Sequence, residues 1–148
     1  MRGVSAWALA SAVCALAGVG VAGYLTVAHY DDAALVCGLG DCHTVQSSRY
    51  AEIAGVPIAV LGLGMYLALL GLGAARWRRP TWAGTLTALA FALALAGALY
   101  AAFLTYVEVA VIDAICQWCV ASALLTVGVL AAEGIGVART TLAVPTDG

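Results

Sequence analysis

The chain has 148 residues, 64% of them hydrophobic and 9% charged, with a formal net charge of −2. Soluble domains carry about 25% charged residues, so a soluble fold of this length lacks the polar surface to cover its apolar side chains, and lipid must be the solvent for much of it. There is no lysine and no basic patch of the kind that binds nucleic acid.

In chain order, the first apolar run extends from Val4 to Tyr30 without Asp, Glu, Lys or Arg. That is far longer than a signal-peptide core of roughly 7–15 residues, and no small-x-small cleavage site precedes Asp31, so the run reads as a retained helix. Cys14 lies inside it and reads as a small hydrophobe. A polar segment follows, holding Cys37-Gly38-Leu39-Gly40-Asp41-Cys42 and then Ser47-Ser48-Arg49-Tyr50. The second run spans Ile53 to Ala75, with Gly55-Val56-Pro57 at its opening, where proline suits a helix start. Arg76, Arg78 and Arg79 make a basic turn flanked by Trp77 and Trp82, and Pro80 breaks the chain before the third run, Thr81 to Val107. The fourth run, Ala114 to Ala132, extends past Glu133 to Val137 if that carboxylate sits at the interface. Each run reaches or approaches the roughly 20 residues that span a bilayer core. The expected fold is an all-α integral membrane protein: a four-transmembrane-helix bundle with an outer loop or short helical segment between helices one and two. One membrane domain should occupy residues 1–139, followed by a short, polar, disordered cytoplasmic tail, 140–148.

Charge sets the expected orientation. With four spans, Arg2, Arg76, Arg78, Arg79 and Arg139 share one side. The other side holds Arg49 with Asp31, Asp32, Asp41, Glu52, Glu108 and Asp113. The positive-inside rule puts both termini in the cytoplasm of a plasma-membrane protein. Both cysteine pairs, Cys37/Cys42 and Cys116/Cys119, then fall on the outer face, where disulfides are permitted.

Cys116-Gln117-Trp118-Cys119 places two sulfurs on one helix face. Asp113 suits an N-cap, which would set Cys116 near the third helical position, where unpaired N–H groups and the helix dipole favour a thiolate. A static disulfide or half of a zinc site are the other readings of such a pair; His29, His43, Cys37 and Cys42 would supply further zinc ligands. The glycines between Cys37 and Cys42 let that loop bend, as a shuttle requires; a structural clip is the alternative. His29, His43 and Tyr106 lie near the same face, where they would tune thiols or simply sit at the interface, and Glu108 and Asp113 suit interfacial caps. Nucleotide, haem and flavin fingerprints are absent, whereas a lipid-soluble quinone needs only an apolar slot beside a disulfide.

Three segments resemble the bacterial branch of the vitamin K epoxide reductase (VKOR) family: Cys42-His43-Thr44-Val45-Gln46-Ser47-Ser48-Arg49-Tyr50, Gly55-Val56-Pro57-Ile58-Ala59-Val60-Leu61-Gly62, and Tyr106-Val107-Glu108 through Ile115-Cys116-Gln117-Trp118-Cys119-Val120-Ala121-Ser122-Ala123. The DsbB type of thiol oxidase carries its two pairs in the opposite order. The resemblance implies that Cys116 and Cys119 are the active-site pair, with Cys119 facing a quinone (menaquinone or ubiquinone) and no metal. It implies that Cys37 and Cys42 are the shuttle pair, with Cys37 meeting a reduced, DsbA-like thioredoxin-fold partner and Cys42 passing electrons to Cys116. Many bacterial relatives carry a fused thioredoxin domain after helix four, and none is expected here, so the partner would be a separate protein. Ser48, with Ser47 second, matches the family's serine near the site. Ile58 and Ala123 stand where animal members place an asparagine and a tyrosine that hold the vitamin K head group. The implied activity is therefore thiol oxidation with quinone reduction, in support of disulfide formation, without the donors for epoxide recognition. The non-enzymatic alternative is a four-helix scaffold whose outer loops are pinned by disulfides.

Overall fold

The computed structural model describes residues 5–142. Four helices are long and apolar enough to cross a membrane. They are α1 (Ala6–Tyr30), α3 (Ile58–Arg78), α4 (Ala83–Val107) and α5 (Gln117–Leu142). A short helix, α2 (Cys42–Gln46), lies in the segment after α1, and a two-residue antiparallel ladder, β1 (Glu52–Ile53) with β2 (Val56–Pro57), leads into α3. Around the bundle, α1 packs on α3 and α5, and α4 packs on the same two helices.

The helices start and stop for local reasons. The second apolar run turns helical only at Ile58, because Ala54 and Gly55 have positive φ and fold residues 52–57 into the hairpin, with Pro57 as the N-cap of α3. Pro80 opens a 3₁₀ turn, Pro80–Trp82, that feeds α4. At its other end, α4 continues as a π-turn over Glu108–Ile112 and closes on Asp113, which adopts a left-handed conformation at φ 55°. The fourth span starts at Gln117 rather than Ala114 and remains helical through Leu142, so Thr140–Leu142 belong to α5. Arg2 and the rest of the expected tail, 143–148, lie outside the described residues.

Small residues let the helices approach. Ala15, Ala22, Ala90 and Ala94 are buried with Tyr66, Leu69 and Val129 in one core. A side chain at Gly18 would collide with the Tyr66 ring, so α1 and α3 meet across a glycine. The Tyr66 hydroxyl is held by the Ser122 carbonyl and hydroxyl and by Thr126, at 2.8, 3.0 and 2.8 Å.

At the end bearing the arginine turn, Glu133 is turned inward rather than left facing the interface. Its side chain is 2% exposed, and its carboxylate accepts from Arg76 Nη1 at 2.8 Å and from Ser11 Oγ at 2.6 Å. Arg76 also donates to Thr87 and lies over the Trp7 ring, 4.7 Å from its centroid. This cluster joins all four long helices. Removing one partner strands a buried charge, at a cost of about 3 kcal/mol. Glu133→Gln should therefore lower the thermal midpoint in micelles clearly, and the double change Arg76→Met, Glu133→Leu should recover most of the loss; equal stability for wild type and Glu133→Gln would contradict this.

Candidate functional site

The opposite end of the bundle gathers every cysteine but Cys14, which packs near Gly128 within the helical core. Cys37 and Cys42 form a disulfide, with Cα atoms 5.9 Å apart, whereas Cys116 and Cys119 are free thiols. The two pairs are neighbours. Cys42 and Cys116 are each 0% exposed and belong to one buried cluster with Leu25, Ala28, Leu35 and Val45. Cys37 and Cys119 border that cluster and are only partly buried.

The loop is fastened to the start of α5 by backbone and side chain. Gly40 bridges to Cys116, and the Asp41 N–H donates to the Ile115 carbonyl at 2.9 Å. Gly40 has φ +84°, and a Cβ there would strike that carbonyl, so only glycine permits the approach. The glycine thus serves close docking. The two residues inside the second cysteine pair complete the clamp. Gln117 Oε1 accepts from the Leu39 N–H at 2.7 Å, and Trp118 Nε1 donates to the Val36 carbonyl at 2.8 Å. Tyr24 stacks against Trp118, and its hydroxyl binds the Ala34 carbonyl and the Val36 N–H. Asp41 caps α2 through Thr44, whose hydroxyl and N–H hold its carboxyl below the usual carboxylate range.

Asp113 is not the cap of α5, because its left-handed backbone ends the π-turn instead. Cys116 takes that place. It immediately precedes the helix, its carbonyl accepts from the Val120 N–H at 3.0 Å, and its Sγ accepts from the Cys119 N–H at 3.4 Å. Those two bonds define an N-cap, here with sulfur as the side-chain acceptor. The Cys119 thiol, with the backbone N–H groups of Cys119 and Trp118, pulls the Cys116 thiol down to about 7, against burial and the nearby Glu108. The helix start does favour a thiolate, but through a cap position rather than a place within the first turn.

Cys119 points the other way, into a cavity of about 400 Å³. Apolar residues of α3, α4 and α5 line most of it, among them Leu61, Met65, Leu104 and Ala123. Leu61 and Tyr100 are also exposed on the bundle surface, so the cavity opens between α3 and α4 toward lipid. Polar side chains line it as well, among them Gln46, Ser48 and Glu108. Gln46 Nε2 lies 3.7 Å from Cys119 Sγ, and Glu108 Oε2 accepts the Cys116 N–H at 3.0 Å. Ser48, Ile58, Ala123 and Cys119 all line the cavity; Ser47 does not, and its hydroxyl is spent on the His43 and Thr44 carbonyls. His29 lies apart, 2.9 Å from Glu52. Gln46 and Glu108 are the residues that sequence reasoning did not assign to this cavity. Gln46 stood in a quoted motif, and Glu108 read as an interfacial cap. Among the described residues, no group of three or more His, Cys, Asp or Glu converges as a metal site would require.

The sequence model of the Vitamin K epoxide reductase family matches residues 9–133. The chain belongs to this family. Membership makes it a multi-pass membrane protein of the thiol–disulfide oxidoreductase class, in a family linked generally to quinones and thioredoxin-like partners. The matched VKOR region includes both cysteine pairs and every cavity residue named above.

Because the Cys116 pKa is lowered, its thiolate is present above about pH 7 and is lost as pH falls through that value. The ultraviolet thiolate absorbance of the protein should titrate with a midpoint about 7, and Cys116→Ser should abolish that step; a first thiol titrating only at the free-cysteine value of about 8.5 would contradict the capped geometry.

Proposed function

We propose that this protein is a membrane thiol oxidase that takes electrons from an extracytoplasmic, DsbA-like thioredoxin-fold partner and delivers them to a quinone. The observation that carries this reading is the division of labour among the four sulfurs. One cysteine of each pair is buried in a shared cluster, Cys37 borders a loop whose Val36 and Leu39 are exposed, and Cys119 faces an apolar cavity. The electron path is partner dithiol, Cys37–Cys42, Cys116–Cys119, quinone.

Each thiol step is an exchange in which a thiolate attacks a disulfide sulfur and a new thiolate leaves. The partner's thiolate attacks Cys37, freeing Cys42. Cys42 then attacks Cys116 of the oxidised second pair, freeing Cys119; the partner's second thiol resolves the link at Cys37, and the freed Cys37 attacks Cys42, which re-forms Cys37–Cys42 and releases Cys116. The quinone, menaquinone or ubiquinone, is the substrate that accepts two electrons and two protons when the second pair is reoxidised. The cavity suits it. Its volume falls in the usual range for small-molecule sites, about 300–1,000 Å³, its walls are mostly apolar, and Ser48, Gln46 and Cys119 are among the polar side chains in the lining. Ile58 and Ala123 add only apolar wall, which favours a plain quinone over an epoxide needing dedicated donors.

The charge distribution supports an orientation with both termini cytoplasmic and both pairs outside. Arg76, Arg78 and Arg79 lie at the turn between α3 and α4, at the end of the bundle opposite the cysteines.

Reconstitution with a reduced DsbA-like protein and a quinone tests the reading. Wild type should reduce the quinone, Cys119→Ala should fall to the uncatalysed background, and Cys42→Ala should accumulate the partner covalently bound to Cys37. Undiminished turnover in Cys119→Ala would sink the assignment.

A further inference from the structure

Reoxidation of the second pair breaks two S–H bonds and forms one S–S bond, so two protons must leave with two electrons. The titratable side chains lining the cavity are Cys119, Glu108, Tyr50 and Tyr100. A phenol is a far weaker acid than a carboxyl, and Gln46, Ser48, Thr105, Ser122 and Thr126, which also line it, do not titrate in the working range. Glu108 is therefore the one carboxyl in the lining. It is 4% exposed, and it sits on the π-turn, a local widening often found at functional positions. Oε2 accepts the Cys116 N–H at 3.0 Å, and the side chain lines the same cavity as Cys119. A carboxyl inside a membrane segment is costly and marks a proton or ion route more often than a structural need. The buried Glu133 has a paired arginine; among the described residues, Glu108 forms no ion pair and takes a backbone N–H.

We propose that Glu108 is the proton carrier between Cys119 and the electron acceptor in this cavity. The inference rests on the quinone reading above. As the Cys116 thiolate attacks the Cys119 sulfur, the S–S bond forms and the electron pair passes to the acceptor. The Cys119 proton moves to the Glu108 carboxylate and from there to one acceptor oxygen. The proton already lost from Cys116 is balanced by one drawn from water at the outer face to the other oxygen. The products are a disulfide and a quinol. Glu108 holds Cys116 in place through its backbone and serves Cys119 through its proton, which links the two sulfurs to one carboxyl.

Glu108→Gln keeps an oxygen to accept the Cys116 N–H but cannot carry a proton, so it separates the two roles. In proteoliposomes with quinone and reduced partner, Glu108→Gln should slow quinol formation about 100-fold. Alkylation trapping should still find normal exchange between the two cysteine pairs. Glu108→Asp, which keeps a proton-carrying carboxyl, should restore part of the rate. Infrared difference spectra of the protein alone, reduced against oxidised with a thiol oxidant, supply a readout that needs no quinone. Wild type should show a carboxyl band that changes with the redox state of Cys116 and Cys119, and Glu108→Gln should lose it. A wild-type rate in Glu108→Gln, or a difference spectrum without a carboxyl band, would overturn the proposal. Failure of wild type to reduce any quinone would overturn the functional reading instead, while the infrared result still decides the role of Glu108.

Discussion

The first residue before α5 holds the cysteine-bearing end of the molecule together. Every backbone and side-chain acceptor or donor of Cys116 is spoken for: its N–H by Glu108, its carbonyl by Val120, its sulfur by the Cys119 N–H. Its backbone also bridges to Gly40, which brings the Cys37–Cys42 loop onto the helix start. In a lipid-facing fold, unpaired polar groups cost several kcal/mol, so a non-helical step between two spans survives only if each group is paired. Here that pairing assembles the sulfur chemistry. The same contacts that satisfy the break between α4 and α5 set one cysteine as a helix cap, turn its partner toward the cavity, and seat the loop above both.

The two ends of the bundle solve the problem of buried polarity differently. At the arginine end, Arg76, Glu133, Ser11 and Thr87 form a closed, fully paired cluster that fastens four helices. At the cysteine end, the polar groups are strung along a cavity wall with no cation among the residues that line it. A paired cluster resists change of charge state; a carboxyl beside two thiols invites it. The contrast separates a structural polar site from a reactive one within a chain of 148 residues.

Much of this was legible in the sequence because lipid imposes strong rules. Runs without charge gave four spans, and the motifs around Cys42, Pro57 and Cys116 pointed to the family. Boundaries were less legible. Ile53–Pro57 is as apolar as a helix start, yet the positive φ values of Ala54 and Gly55 turn it into a hairpin that contributes Ile53 to the cavity lining. Asp113 looked like an N-cap by residue type, but a π-turn upstream rotates it out of place and gives the cap to a cysteine, which cap preferences alone do not anticipate. Gln117 and Trp118 were spacers in a motif until the fold made them the clamp on the Cys37 loop. Side-chain bonds across 78 and 82 residues leave no local signature.

The account depends on direct exchange between Cys42 and Cys116, the two buried sulfurs. The most direct test removes their present partners. In the double variant Cys37→Ala, Cys119→Ala, mild oxidation should link Cys42 to Cys116 within one chain, and peptide mapping under non-reducing conditions would identify the bond. An intramolecular Cys42–Cys116 disulfide in high yield is the predicted result. Free thiols at both positions, or bonds only between chains, would contradict the relay at its central step.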